Sequence, residues 1–205
     1  MQKYSKKHSS WQVIDENELH FIIDAIIKGK DIPRCKYKKF IRIRNAFMIY
    51  LAYTLGLRPK ECRCIKLSDI RRQKLYIPAD NNKQRNNDVI PLPDIIFYKI
   101  QIYITALKEF FDNPIYLFPK RDNEPIDRGS HIRFFREASR RAGFPGLTLY
   151  SLRHSFGTNA YLRFHDIPKV GVLIRHYDFQ YRTTLRYIHT ASPIMREELL
   201  NELYN

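Results

Sequence analysis

The sequence contains no long hydrophobic run. No apolar stretch approaches the roughly 18 residues that a membrane-spanning helix requires. The N-terminus also lacks the succession of basic segment, apolar segment and cleavage site that marks a secretory signal. We therefore expect a soluble protein without a membrane partner, acting in the cytoplasm.

Cysteine is scarce, and no nucleotide-binding loop is present. Cys35, Cys62 and Cys64 form no CxxC pair, so the pattern indicates ordinary thiols in a reducing compartment rather than disulfides or metal ligands. A P-loop is also missing, which argues against an ATP-driven enzyme. We predict neither a cofactor nor a metal centre.

Positive charge, by contrast, is abundant. Lysine and arginine number 36 against 21 acidic residues, which gives a net charge of +15. Such an excess favours a polyanionic partner, most often nucleic acid; the alternative is a basic surface without a specific partner. Hydrophobic residues make up 44% of the chain, enough for the packed core of one domain or of two small ones.

Hydrophobic periodicity predicts a mainly α fold with a small antiparallel β-sheet, in the α+β class. We expect a flexible basic tail over residues 1–14 and one domain over residues 15–205. Asp15 and Glu18 form a capping-box signature before a helix with one apolar face, and Gly29 is its predicted end.

The middle of the chain predicts the sheet, and the remainder is helical. A second helix is predicted from about Ile41 to Leu55. The segments KLYIP and DVIPL flank the polar loop ADNNKQRNN, a pattern that is typical of a β-hairpin. The segment YLFPKRDNEPIDRGS is predicted as a short strand plus a turn. After the basic helix SHIRFFREASRRA, the chain is predicted to be helical with breaks at Pro145, Gly171 and Pro193.

The last part of the chain indicates phosphate chemistry. Arg153, His176 and Tyr187 bring a guanidinium, an imidazole and a phenol into one run of short helices in a basic protein. Guanidiniums bind phosphate oxygens, and a phenol can attack phosphorus as a nucleophile. The alternative for a lone tyrosine is ordinary aromatic packing.

Two further cations lie in the first half. Arg58 opens a short helix, where its guanidinium and the free backbone N–H groups suit a phosphate, and Glu61 could hold it. The alternative is a surface ion pair worth about 0.2–0.5 kcal/mol. Lys83 lies in the hairpin tip, where a lysine can clamp phosphate or protonate a leaving oxygen. A solvated loop lysine is the alternative there, and Arg85 is its local competitor.

Four segments together resemble the tyrosine recombinases, the family of phage integrases and Xer-type site-specific recombinases. TLGLRPKECRCIKLSDI is similar to box I, and YSLRHSFGTNA to box II, usually written HxLRHxFAT. LIRH followed by TTLRYIHT resembles the LGH and TTxxYxH segment. Lys83 lies upstream of a VIPL strand, where the family keeps a hairpin lysine. The resemblance covers about Asp15 to Thr190, nearly the whole chain.

The resemblance implies a role for each matching residue. Some would act on the scissile phosphate and others would support them. Arg58 and Arg153 would bind that phosphate, Lys83 would protonate the leaving 5′ oxygen, His176 would be the third-box histidine, Tyr187 the nucleophile, Glu61 the support of the first arginine, and His154 a structural histidine.

The chain departs from the family pattern at two points. Tyr150 stands where box II usually has histidine; a phenol can donate a hydrogen bond to phosphate, but with a pKa near 10 it accepts protons poorly at neutral pH. The spacing from His176 to Tyr187 is about two residues longer than usual. Tyr177 and Tyr181 lie nearby, and the TTLRY context favours Tyr187 over both as the nucleophile.

The resemblance implies a site-specific recombinase or integrase. Such an enzyme cuts and rejoins double-stranded DNA at a specific recombination site through a 3′-phosphotyrosyl intermediate, as a homo-oligomer of two to four subunits and without metal or ATP. Two alternatives stay open: a type IB topoisomerase-like strand swivelase, and a non-catalytic DNA-binding regulator with a decayed site.

The two ends of the chain carry their own expectations. Only about fourteen residues precede the first predicted helix, so we expect no separate N-terminal core-binding domain. Residues 193–205 carry apolar side chains at helical spacing. By resemblance, this C-terminal helix docks on a neighbouring subunit; the alternative is that it packs on its own core.

Overall fold

The computed structural model describes residues 12–29, 35–82 and 85–175. In these ranges the fold is mainly helical with one small antiparallel sheet, as predicted. The helices are α1 (Glu16–Lys28), α2 (Lys36–Thr54), α3 (Pro59–Arg63), α4 (Asp94–Lys108), α5 (Arg128–Arg141), α6 (Leu149–Phe164) and α7 (Ile167–Leu173), and the strands are β1 (Ile70–Arg71), β2 (Lys74–Ile77) and β3 (Asp88–Pro91).

Helix α1 has the ends that its sequence predicts. The Asp15 carboxylate accepts a hydrogen bond from the backbone N–H of Glu18 at 2.8 Å, and the Glu18 carboxylate accepts one from the backbone N–H of Asp15 at 2.9 Å. At the other end Gly29 has a φ of +57°, and its N–H donates to the Ala25 carbonyl. Arg42 of α2 donates to the last carbonyls of α1, which ties the two helices together.

Helix α2 is the central element of the core. It packs against both α1 and α6, and it begins at Lys36 rather than at the predicted Ile41. The basic residues at its start suggested a connecting loop. Phe40, however, is fully buried and packs on the Phe110 and Phe111 rings at 4.7 and 5.8 Å, so burial of this side chain extends the helix by a turn.

The sheet has the order β1-β2-β3 and is antiparallel throughout. The predicted hairpin is confirmed, with Leu75 of β2 opposite Ile90 of β3. Of the strand and turn predicted for YLFPKRDNEPIDRGS, the turn is present over residues 121–124, but the strand is wrong, since the segment makes only isolated bridges, one of them between Pro119 and Pro125. Proline has no backbone N–H to donate to a ladder, so pairing stops there.

The predicted helix break at Gly171 is also wrong. Gly171 lies inside α7, and the chain turns earlier, at His165 and Asp166. His165 adopts a left-handed conformation with φ of +49°, and the Asp166 carboxylate caps α7 by accepting from the Lys169 N–H at 2.9 Å. A histidine in this conformation carries no glycine signal, so the sequence pattern does not reveal the turn.

A buried histidine makes the stability of the fold depend on pH. His131 of α5 is 1% exposed, and neither ring nitrogen has a hydrogen-bond partner in the described part of the chain. Burial, together with the charges of Arg63 and Arg44, lowers the pKa of His131 from 6.5 to about 4. Below its ordinary pKa the unfolded chain binds this proton while the folded chain does not, so stability falls as the pH drops from 6.5 toward 4.

Replacing that imidazole should flatten this part of the pH profile. We expect His131→Phe, which keeps the ring contact with Phe134, to lose about 3 kcal/mol less unfolding free energy between pH 6.5 and 4 than the native chain. Denaturant unfolding at both pH values measures the difference. His20→Phe, at an exposed position of α1, is the control and should keep the native profile; equal losses in all three proteins would contradict the expectation.

Candidate active site

Arg58 is held at the start of α3 by one buried carboxylate. The Glu61 carboxylate accepts from the Arg58 backbone N–H at 2.8 Å through Oε2 and from the guanidinium Nη1 at 2.6 Å through Oε1. The Glu61 side chain is 0% exposed and that of Arg58 13%. The alternative of a solvated surface pair is therefore wrong. Pro59 occupies the first turn, where its missing N–H has no helical partner to lose.

Arg153 of α6 contacts the chain immediately before Arg58. Its Nη1 donates to the Gly56 carbonyl at 2.6 Å, and its Nη2 donates to the Ile174 carbonyl. Gly56 lies two residues before Arg58 in a left-handed conformation with φ of +57°, and a Cβ there would collide with the Phe156 ring. This glycine turn thus brings together two arginines that are far apart in the sequence.

A third guanidinium, that of Arg175, joins the cluster, and sequence reasoning missed it. Its Nη2 donates to Glu61 Oε2 at 2.5 Å, its Nε lies 2.9 Å from Asp88 Oδ2, and its Nη1 donates to the Leu55 carbonyl at 3.2 Å. Its own carbonyl accepts from Arg58 Nη2 at 3.5 Å. The LIRH segment was matched to the family motif through its histidine alone. The only sign of Arg175 in the sequence was that a charged residue stands in an apolar stretch.

The charges of the cluster set its chemistry. Three buried or half-buried guanidiniums (Arg58, Arg153 and Arg175) lie with two buried carboxylates (Glu61 and Asp88), which leaves an excess of one positive charge. Burial by itself raises the pKa of the Glu61 carboxyl, but the charges of Arg175 and Arg58 outweigh it and hold the pKa below its usual range. Glu61 is therefore ionised at neutral pH, and the excess of guanidiniums suits the cluster to an anion.

The base of the hairpin tip lies beside Arg58. Asn82 Oδ1 accepts from Arg58 Nη1 at 3.5 Å, and Asn82 Nδ2 donates to the Asn86 carbonyl at 2.9 Å across the loop. Lys83, which follows Asn82 directly, lies outside the described residues, as do His176, which follows Arg175, and Tyr187. In the sequence, Lys83 thus follows a residue that contacts Arg58, and His176 follows a member of the arginine cluster.

Tyr150 and His154 occupy opposite environments on α6. Tyr150, in the first turn, is 58% exposed and makes no hydrogen bond in the described ranges, so the structure does not join it to the arginine cluster. His154 is 7% exposed and packs inside, next to Arg153 in the chain. Burial of this kind agrees with a structural histidine, whereas the Tyr150 phenol is accessible to a ligand.

In residues 12–29, 35–82 and 85–175, no group of three or more His, Cys, Asp or Glu side chains is arranged to hold a metal ion. None of the helices in this part of the chain is long and apolar enough to cross a bilayer.

Comparison with known proteins shows where this chain belongs. The sequence profile described as the phage integrase family matches residues 12–192. The chain is therefore a member of the phage integrase family.

Matches in sequence and matches in fold come from two separate comparisons. Tyrosine recombinase XerA of Pyrococcus furiosus is 28% identical over 196 residues, which cover 93% of this chain and 63% of that relative. The crystal structure of a XerA recombinase superposes with a TM-score of 0.71 at 19% identity, covering 98% of this chain and 66% of the other. XerH recombinase bound to a palindromic difH substrate in a post-cleavage complex gives 0.70 at 18% identity, covering 94% and 55%.

Proposed function

We propose that this chain is a site-specific tyrosine recombinase that cuts and rejoins double-stranded DNA through a covalent 3′-phosphotyrosyl intermediate. The observation that carries the proposal is the convergence of Arg58 and Arg153 on one glycine turn, with Glu61 holding the first of them. The names of the relatives and the family membership support the reaction class. As an enzyme that acts on DNA, the protein works in the cytoplasm, where the DNA lies.

The two arginines supply the electrostatic part of the mechanism. Negative charge builds on the non-bridging oxygens of the scissile phosphate in the transition state, and guanidiniums placed beforehand stabilise it without reorganising. The Arg58 fork is partly exposed while its other side is fixed by Glu61, so the side chain is oriented before DNA arrives. These two charges perform the role that divalent cations perform in other phosphoryl-transfer enzymes.

The covalent step uses residues from the remaining segments. The Tyr187 oxygen attacks phosphorus, the bond from phosphorus to the 5′ oxygen breaks, and Lys83 protonates that oxygen. His176 assists removal of the proton from Tyr187, and the exposed phenol of Tyr150 donates a hydrogen bond to the phosphate. Attack of a 5′ hydroxyl on the phosphotyrosine then restores a DNA strand and the free tyrosine. Since the number of phosphoester bonds is unchanged, no ATP is consumed.

The surface supports DNA as the substrate. Besides the net charge of +15, four of the five arginines of α5 are exposed. They are Arg128, Arg133, Arg136 and Arg140. Exposed cations of this kind neutralise phosphates along a duplex and position the protein without reading its sequence.

Covalent capture from a random DNA pool tests the function and identifies the DNA site in the same experiment. Nicked duplexes with randomised sequence around the nick are incubated with the protein, and complexes that survive detergent are collected and sequenced. We expect enrichment of one sequence, because a cleaved strand whose short 5′-hydroxyl fragment diffuses away cannot be rejoined.

Two other results would each overturn the proposal. Enrichment by binding alone, with no covalent complex even on the enriched sequence, would indicate a DNA-binding regulator. Relaxation of a supercoiled plasmid that lacks the enriched sequence would indicate a topoisomerase. Arg121→Ala, in an exposed turn outside α5, is the control for general loss of charge, and Arg58→Ala should abolish capture.

We further propose that residues 193–205 pass to a neighbouring subunit, so that the single catalytic domain works as a dimer or tetramer on DNA. A cavity of about 1120 Å³, lined by Tyr50, Phe156 and Phe164 among others, is large and apolar enough to receive the side chains of such a helix. XerH is an example of a relative in fold whose structure was determined on DNA.

Truncation distinguishes exchange between subunits from packing on the same core. A chain ending at residue 192 should bind a single site but form few complexes of two or more subunits on paired sites, as measured by native mass spectrometry. Its melting temperature should match that of the full chain. A lowered melting temperature with unchanged stoichiometry would instead show that the segment packs on its own core.

A further inference from the structure

The backbone conformation of Arg175 favours glycine, whereas its side chain makes buried contacts that a glycine could not make. Its φ of +56° lies in the left-handed region, which costs an L-residue free energy but costs glycine nothing. The side chain is nevertheless a buried arginine whose two Nη atoms donate to the Glu61 carboxylate and to the Leu55 carbonyl, while Nε lies in an ion pair with Asp88 without forming a hydrogen bond. These contacts offset the backbone strain and hold the chain in place immediately before His176.

We propose that Arg175 is a positioning residue that locks Arg58 in its phosphate-binding orientation and joins the three segments that carry the site. This inference rests on the proposed recombinase function and deepens it. Arg175 contacts α3 through Glu61, β3 through Asp88 and the end of α2 through the Leu55 carbonyl, while its own carbonyl accepts from Arg58.

The two carboxylate oxygens of Glu61 contact different groups. Oε1 accepts from the Arg58 guanidinium, whereas Oε2 accepts both the Arg58 backbone N–H and Arg175 Nη2. Arg175 therefore fixes the carboxylate on the side away from the Arg58 fork. Without it, a fully buried carboxylate would have one cation instead of two, and a buried charge that loses a partner turns, hydrates or takes up a proton.

Arg175 also determines the net charge of the cluster. Asp88, at the start of β3, is 7% exposed and forms its ion pair with Arg175 at 2.9 Å. Removing the Arg175 charge changes the cluster from three guanidiniums and two carboxylates to two of each. The excess positive charge that favours a phosphate then disappears, although Arg58 and Arg153 are both still present.

Replacing Arg175 by methionine tests the proposal, since methionine keeps most of the length but has no charge. We expect the rate of covalent complex formation, at saturating concentration of the captured DNA, to fall roughly 10- to 100-fold, the range expected when a catalytic group is slightly misplaced. Arg121→Met is the control: Arg121 is exposed in a turn between α4 and α5, so the rate should stay within about twofold.

The pH profile separates positioning from a purely structural role. The charged and titratable groups around Glu61 are Arg58 on its own helix, the neighbouring Cys62 thiol, Arg175, and Asp88 on the far side of Arg175. Because Arg175 lowers the pKa of Glu61, its loss should raise that pKa, so cleavage by Arg175→Met should begin to fail at a higher pH than in the native protein. A structural residue would not move this acidic limb.

A second variant covers the case in which Arg175→Met does not fold. Arg175→Gly suits the positive φ and removes the same contacts, so it should fold and show the same slow cleavage and shifted limb. A native rate and limb in either folded variant would overturn the positioning role. If the native protein itself forms no covalent complex, the proposed function fails instead, which is a distinguishable result.

Discussion

Tyr187→Phe is expected to bind the captured DNA sequence with native affinity and to form no covalent complex with it. The substitution removes only the oxygen that would bond to phosphorus, and loss of a nucleophile slows catalysis by roughly 10⁴-fold or more. Tyr181→Phe, six residues earlier, is the matched control because it deletes the same atom from a neighbouring tyrosine. Detergent-resistant complexes on a nicked duplex, followed over time on a denaturing gel, provide the measurement.

The reverse result for the two variants would identify a different nucleophile. If Tyr187→Phe retained the native rate while Tyr181→Phe lost it, the longer spacing between His176 and Tyr187 would have moved the nucleophile to Tyr181. Loss in neither variant would exclude both tyrosines.

Arg153→Lys should also lower the cleavage rate strongly, by about 10²- to 10³-fold at saturating DNA, which is typical of removing one donor that stabilises transition-state charge. Arg153 reaches the Gly56 and Ile174 carbonyls with two nitrogens of a planar fork. A lysine ammonium is a single point and cannot bind both carbonyls while also serving a phosphate in the same geometry.

The control for this substitution lies at an exposed position outside the arginine cluster. Arg136→Lys on the exposed face of α5 keeps the charge and should cleave at the native rate. Thermal unfolding should accompany both kinetic measurements, because Arg153 is 5% exposed and its replacement also loosens the contact between α6 and the glycine turn. A rate for Arg153→Lys within about threefold of native would remove this residue from the mechanism.

Sequence reasoning succeeded for elements whose ends are set by local chemistry. The capping box at Asp15 and the left-handed Gly29 give α1 its bounds from residues within one turn of each end. The polar loop between KLYIP and DVIPL likewise gave the hairpin. The predictions were wrong where contacts between distant residues set the ends of an element. Burial of Phe40 extends α2, and the left-handed His165 separates α6 from α7.

The site divides along the same line. Arg58, Glu61 and Arg153 were found because their motifs are local, and the contact between Arg58 and Glu61 spans three residues. Arg175 was missed because its partner Glu61 is 114 residues away, a pairing that one sequence does not disclose. Tyr150 was identified as a departure from the motif, but its exposure depends on what packs against the first turn of α6. The catalytic roles of all these residues, and of Lys83, His176 and Tyr187, stay predictions.

The identity of the residue that becomes linked to DNA tests the central claim most directly. Trypsin cuts this region after Arg182 and Arg186, so the peptide 187–196, or 183–196 if the bulky adduct blocks one cut, contains Tyr187 as its single tyrosine. The peptide 176–182 contains Tyr177 and Tyr181 instead. Digestion of the captured complex with trypsin and nuclease, followed by mass spectrometry, should find the nucleotide on the peptide with Tyr187. A nucleotide on peptide 176–182, or on a residue other than tyrosine, would contradict the account.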